Sequence, residues 1–216
     1  MPARFQDRRD AGQQLAGKLA HYRHRPGLQV LALPRGGVPV AYEVAKALRA
    51  PLDIFVVRKL GLPGHEEFAI GAIATGGVRV LDEDVIQQIG LSSAEVERVT
   101  ANELRELERR ERDYRGNRPP PEIAGRTVIL IDDGLATGST MRAAVAALKL
   151  EHAEKIIIAV PVAPPETCAA IGKDVDEIVC AVTPEPFLAV GLWYRDFSQT
   201  SDEEVRQLLA TGAEVV

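Results

Sequence analysis

The stretch VILIDDGLATGSTMRAA, residues 128–144, decides how the rest of the chain is read. Residues 128–131 are a short run of branched apolar side chains, the pattern of a strand buried on both faces. The run delivers two adjacent carboxylates, Asp132 and Asp133, into a loop of glycine, alanine and hydroxyl residues that opens a helix. Strand, small-residue loop and helix in that order form half of an α/β crossover. In open α/β sheets ligands bind outside the carboxyl ends of the strands, where this loop must lie. Backbone N–H groups of Ala136, Thr137, Gly138, Ser139 and Thr140 then make a nest at the helix N-terminus, which suits a phosphate dianion. Two carboxylates beside such a nest repel a polyphosphate but accept hydrogen bonds from vicinal hydroxyls, so the combination fits a sugar phosphate. A P-loop is excluded, because Gly138 runs straight into Ser139 with no lysine before the hydroxyl.

Working outward, residues 28–61 (LQVLALPRGGVPVAYEVAKALRAPLDIFVVRKLG) read as a strand, a PRGG loop, a helix and a second strand, LDIFVV. That is a βαβ unit and predicts a parallel sheet with right-handed crossovers. Residues 61–81 hold two apolar stretches, FAIGAIA and VRVL, separated by TGG, which predicts a hairpin or mobile flap. Residues 92–118 carry 7 Asp/Glu and 7 Arg around a thin apolar stripe, a long helix supported by i,i+4 ion pairs and capped by Ser92 or Ser93. Downstream, KIIIAVPVA, a helix from about Glu166, and DEIVCAV continue the alternation. A helix over residues 10–24 with Asp10 as its N-cap precedes the first strand, and a helix capped by Ser201 or Asp202 closes the tail. The expected fold is one doubly wound, mostly parallel α/β domain over residues 1–216. Its Rossmann-like core covers about 28–182, with a flap hairpin and small appendages at 1–27 and 183–216.

Composition agrees with a globular enzyme-sized domain: 216 residues, 46% hydrophobic and 26% charged, enough to bury a core without a disulfide or metal staple. No apolar run approaches the roughly 18 residues of a membrane span, and the N-terminus shows no secretory pattern, so a cytoplasmic protein is expected. The two cysteines, Cys168 and Cys180, read as buried, inert thiols, which argues against a disulfide framework and a cysteine zinc site. The net charge of −5 hides an asymmetry. Residues 1–60 hold 11 Lys/Arg against 4 Asp/Glu, while the remainder nets to −12. A basic third implies an anionic partner, either a phosphorylated small molecule or nucleic acid.

At this point the residues point to a family. The run with Asp132-Asp133, small residues and Thr137-Gly138-Ser139 resembles, over about thirteen contiguous positions, the 5-phosphoribosyl diphosphate (PRPP) signature of type I phosphoribosyltransferases. LPRGGVPVA, residues 33–41, falls where that family carries its diphosphate loop, and VVRKLGLPG, residues 56–64, resembles an Arg-Lys pair after the second strand of some members. The resemblance implies transfer of a phosphoribosyl group from PRPP to a nitrogenous, heterocyclic acceptor, with diphosphate released, as in nucleotide salvage. It assigns Asp132 and Asp133 to the ribose hydroxyls and to the developing positive charge. Arg35, Gly36, Gly37, Arg58 and Lys59 fall to the diphosphate. Mg2+ is the implied cofactor, held mostly through substrate and water with Asp132 and Asp133 nearby. Residues 60–80 correspond to a flexible loop that closes over PRPP in the family, with Glu66, Glu67 and His65 on it. Trp193, Tyr194 and Phe197, three aromatics among five residues, are candidates to stack on the acceptor or, equally, to anchor the tail. The resemblance makes the appendages, 1–27 and 183–216, an acceptor-binding hood; the tail matches no purine, uracil or orotate hood and is similar to that of phosphoribosyltransferases of unassigned acceptor. A homodimer is compatible with the resemblance, and the 92–118 helix is a candidate face for it. The competing reading is a PRPP-sensing regulator that binds nucleic acid or protein without turnover. Only the basic N-terminal third favours it, with Arg4, Arg8, Arg9, Arg23 and Arg25 lying outside both diphosphate segments.

Overall fold

The computed structural model describes residues 5–212, excepting the side chains of Glu66 and Glu67; Arg4 also lies outside the described residues. The central sheet has five parallel strands: β1 (Leu28–Ala32), β2 (Leu52–Ile54), β6 (Thr127–Ile131), β7 (Lys155–Val162) and β8 (Glu177–Val182). Their order is β2-β1-β6-β7-β8. Alternation along the strands divides the core into two layers. Ile129 and Ile131 pack with Leu15, Val44, Leu107 and Leu209 on one face, while Val128 and Leu130 pack with Met141, Leu148 and Ile171 on the other. The first face is covered by α1 (Arg8–Lys18), α2 (Gly37–Leu48), α4 (Ser93–Arg115) and α7 (Asp202–Gly212). The second is covered by α5 (Ser139–Leu150) and α6 (Pro165–Ile171). This is the doubly wound fold that the alternating strand and helix patterns predict. The chain reverses its direction of winding between β1 and β6, so the loops after these two strands flank one crevice.

LDIFVV does not form one strand. β2 ends at Ile54, and the backbone of Val56 is captured by Thr75, whose hydroxyl accepts from the Val56 N–H at 2.8 Å. The chain is thereby diverted into a separate antiparallel sheet, β3 (Val57–Leu62), β4 (His65–Ala74) and β5 (Val78–Leu81), in that order. The TGG turn falls between β4 and β5 as expected. The base of this hairpin is fixed in the core by Leu60, Ile70 and Ile73, all essentially inaccessible. A short helix, α3 (Glu83–Ile89), capped by Asp82, follows it and escapes the sequence reading.

α4 starts with the capping box that Ser92 and Glu95 encode, and Glu106 pairs with Arg109 and Arg110 along its exposed side. Its last turn departs from the expected solvated face. Arg115 is buried, donating to Asp53 at 2.9 Å and to the Ile54 carbonyl at 3.0 Å. α1 is capped by Asp7, which accepts from the Asp10 N–H; Asp10, the cap expected from sequence, accepts instead from the Gln6 N–H. The cysteine reading is overturned. The turn between α6 and β8 brings Cys168 beside Cys180, neither is fully buried, and the two form a disulfide. Among the described residues no helix is long and apolar enough to cross a membrane.

Candidate active site

The two loops that the fold brings together are those after β1 and β6, and glycine lets them touch. A Cβ on Gly36 would lie 2.1 Å from Oδ2 of Asp133, and one on Gly37 would lie 2.7 Å from the Ile131 carbonyl oxygen. The PRGG loop therefore rests directly on Asp132 and Asp133, an approach no side chain permits. The Pro34–Arg35 peptide within it is cis. Arg35 itself turns sideways, its guanidinium 3.5 Å from Asp202 at the start of α7.

The Asp-Asp loop is braced along its length. Asp132 accepts from the Asp133 N–H at 2.8 Å, Leu135 donates to the Val162 carbonyl, and Thr167 donates to the Ala136 carbonyl at 2.9 Å. Burial pushes the Asp132 carboxyl well above the usual carboxylate range, and the charge of Asp133 pushes it further. Burial raises Asp133 too, but the Arg8 guanidinium pulls it back. α5 begins at Ser139 with no side-chain cap, behind Gly138 in the left-handed conformation. Ala136, Thr137, Ser139 and Thr140 are exposed around this open helix N-terminus, the expected phosphate nest.

Arg58 and Lys59 are neighbours on β3, and both border a pocket of about 520 Å3 against α4. Arg58 is turned to α4 and held by Glu103, with Nη2 2.6 Å from the carboxylate. Lys59 lines a cavity of about 610 Å3 between the antiparallel sheet and α5, whose wall includes Ser139, Thr140, Ala143 and Leu81. Of the two, Lys59 has the phosphate nest on its side.

The three tail aromatics behave differently from one another. Tyr194 is buried, donates its hydroxyl to the Asp133 carbonyl and packs on Phe5, so as an acceptor platform it is corrected to an anchor. Phe197 packs against Tyr194 and carries a guanidinium 4.0 Å over its ring, yet more than a third of it stays exposed. Trp193 is half-buried against the same cluster. The guanidinium belongs to Arg8, which sequence reading counted only among surplus basic residues. It bonds Asp133 from α1, and nothing local marks it off from its solvated neighbour Arg9.

The profile of the phosphoribosyl transferase domain matches residues 10–191. The chain belongs to this family. The phosphoribosyl transferase domain is 48% identical over 201 residues to a Mycobacterium tuberculosis (strain H37Rv) protein named "Putative phosphoribosyl transferase", covering 93% of this chain and 45% of that protein. It thus spans about half the length of the curated relatives it matches. Among solved structures, TT1426 from Thermus thermophilus superposes with a TM-score of 0.86 at 41% identity, covering 97% of this domain and 99% of that chain.

Proposed function

We propose that this phosphoribosyl transferase domain transfers the 5-phosphoribosyl group of PRPP to a nitrogenous, heterocyclic acceptor and releases diphosphate. The observation that carries the reading is the contact of the Gly36–Gly37 loop with Asp132 and Asp133, beside the uncapped start of α5. A ligand spanning that crevice meets a phosphate nest, two hydroxyl acceptors and a backbone loop in one line. The 5′-phosphate takes the N–H groups of residues 136–140. Asp132 and Asp133 accept from the ribose hydroxyls. In the reaction the bond from C1 to the diphosphate oxygen breaks, a bond from C1 to the acceptor nitrogen forms, and that nitrogen gives up its proton. Positive charge gathers on the ribose ring as the leaving group departs, and the two fixed carboxylates stabilise it without having to reorganise. The backbone of Gly36 and Gly37 meets the departing diphosphate, and Arg35 exchanges Asp202 for it. Lys59 reaches the same anion from the hairpin, and Arg58 joins it by leaving Glu103. Trp193 keeps the exposure to flank an acceptor.

The donor set fits Mg2+ in one respect: Asp132 and Asp133 offer only hard oxygen ligands. Among the described residues no group of three or more metal-ligating side chains converges, so substrate oxygens would complete the shell. Held there by Asp132 and Asp133 through substrate and water, the ion would supply charge neutralisation for the diphosphate leaving group. Calorimetric titration of PRPP with Mg2+ present, followed by diphosphate release across a panel of bases and amines, tests the proposal. Wild type is expected to bind PRPP and D132N/D133N to lose at least about tenfold in affinity, the scale of lost charged hydrogen bonds. Equal affinity in the two proteins would overturn the site.

A further inference from the structure

Arg8 lies outside every segment assigned above, yet its side chain ends at the centre of the crevice. Nε and Nη2 contact the same Asp133 oxygen, Oδ2, at 2.9 and 2.8 Å. Nη1 donates to the Ser198 carbonyl at 2.6 Å, and the guanidinium carbon stacks 4.0 Å over the Phe197 ring. The side chain is only 12% exposed. Phe197 is itself fixed, because Tyr194 packs on it with ring centroids 5.0 Å apart and Gly191 meets its edge closely enough to exclude a Cβ. The start of α1 is tied to the tail by backbone bonds from Phe5 to Trp193 and from Arg195 to Phe5.

Asp133 is therefore gripped twice from the same quarter, at its carboxylate by Arg8 and at its carbonyl by Tyr194. On the other side the Gly36 backbone closes off any swing of the carboxyl toward the PRGG loop. Asp132 accepts from the Asp133 N–H, and the Arg8 charge acts on it through space. We infer that Arg8 is the positioning residue of the ribose site. Both of its contacts use Oδ2, so it sets the direction in which Oδ1 is presented to a ribose hydroxyl. It also makes the geometry of that carboxylate depend on the packed chain ends. The inference rests on the reading of Asp133 as a ribose-hydroxyl acceptor. A planar guanidinium holds its donors in a fixed fork while lying flat on a ring face, which the compact, freely rotating ammonium of a lysine reproduces only in part.

The test is a double-mutant cycle on PRPP affinity in the presence of Mg2+, with thermal unfolding of each protein alongside. R8Q is expected to weaken PRPP by about 10- to 100-fold, the scale of a reactant group misplaced by an ångström. R8K recovers part of the loss. R8Q/D133N binds as D133N does, because Arg8 acts through that carboxylate. If R8Q reduces affinity by the same factor in the D133N background, Arg8 merely holds the tail in place and the inference falls. Unchanged affinity in R8Q overturns it too. Tighter binding by R8Q would make Arg8 a plug that PRPP must displace, again overturning it. Should R8Q lose its native thermal transition, R8K compared with R8K/D133N supplies the same cycle. A wild-type protein indifferent to PRPP removes the ribose site and this role together, a result distinct from all the others.

Discussion

Gly138 shows how one residue answers two demands at once. Its φ of +73° lies in the left-handed region, and a Cβ there would come within 2.5 Å of Cδ1 of Ile171 and 3.2 Å of Cγ2 of Thr167. Gly138→Ala combines left-handed backbone strain with overpacking and is expected to cost about 2–4 kcal/mol, read by denaturant unfolding. Glu151, the C-cap of α5, presents the opposite case of a group held at a loss. Burial, and then the charge of Glu111 across from it, push its carboxyl up to about 7 from the ordinary 4.5. Its place at a helix C-terminus is unfavourable to a negative charge as well. Because the folded-state value is raised, the folded protein binds the proton more tightly than the unfolded chain. The contribution of this one group to stability is then greatest below about 4.5 and is lost as pH rises through about 7. Glu151→Gln removes that loss. Discounted for its partial exposure, the gain is about 1 kcal/mol, or roughly 3 °C in Tm, at pH 8, and it vanishes near pH 4.5. Residues such as Asp132, Asp133 and Ser139 were legible in the sequence because one short loop sets them side by side. Arg8 was not, because its partner is 125 positions away and no periodicity in an N-terminal helix marks a single arginine.

Among the elements, the central strands were read correctly because strands buried on both faces are unbroken apolar runs. LDIFVV was misread for the same reason. Apolar residues continue past Ile54, and only Thr75, nineteen positions on, pulls the backbone of Val56 out of the sheet. That diversion puts Arg58 and Lys59 on the first strand of a hairpin, where Arg58 pairs with Glu103 and Lys59 also borders the cavity beside α5. The long charged helix α4 was found from its cap and its ion pairs, but its register against β2 hangs on one buried cation. Arg115 bonds Asp53 and the Ile54 carbonyl and lies 3.3 Å from Glu111. Arg115→Met is expected to destabilise the fold by about 3–5 kcal/mol, because Asp53 is left half-buried and unpaired. Arg109→Met, which breaks only exposed pairs along the same helix, should change stability by less than about 1 kcal/mol. The same unfolding assay checks both.

Over the whole molecule, three arginines of the basic N-terminal third go to separate places. Arg8 is spent inside the crevice and Arg35 on α7, while Arg25 lies over Tyr22 beyond the far end of α1. Arg8 has a further consequence, one of order in time. Its bonds to Asp133 and Ser198 span 125 and 190 positions, whereas the parallel sheet closes through shorter excursions of the chain. Contacts of such separation form late. A refolding chain should regain its helical and strand signal before its first turn finds its last loop. PRPP-dependent fluorescence is therefore expected to return more slowly than far-UV circular dichroism after dilution from denaturant, and coincident recovery would refute this order. A newly made chain would have its architecture before it has a working crevice, and the last loop to return would be the one that completes it.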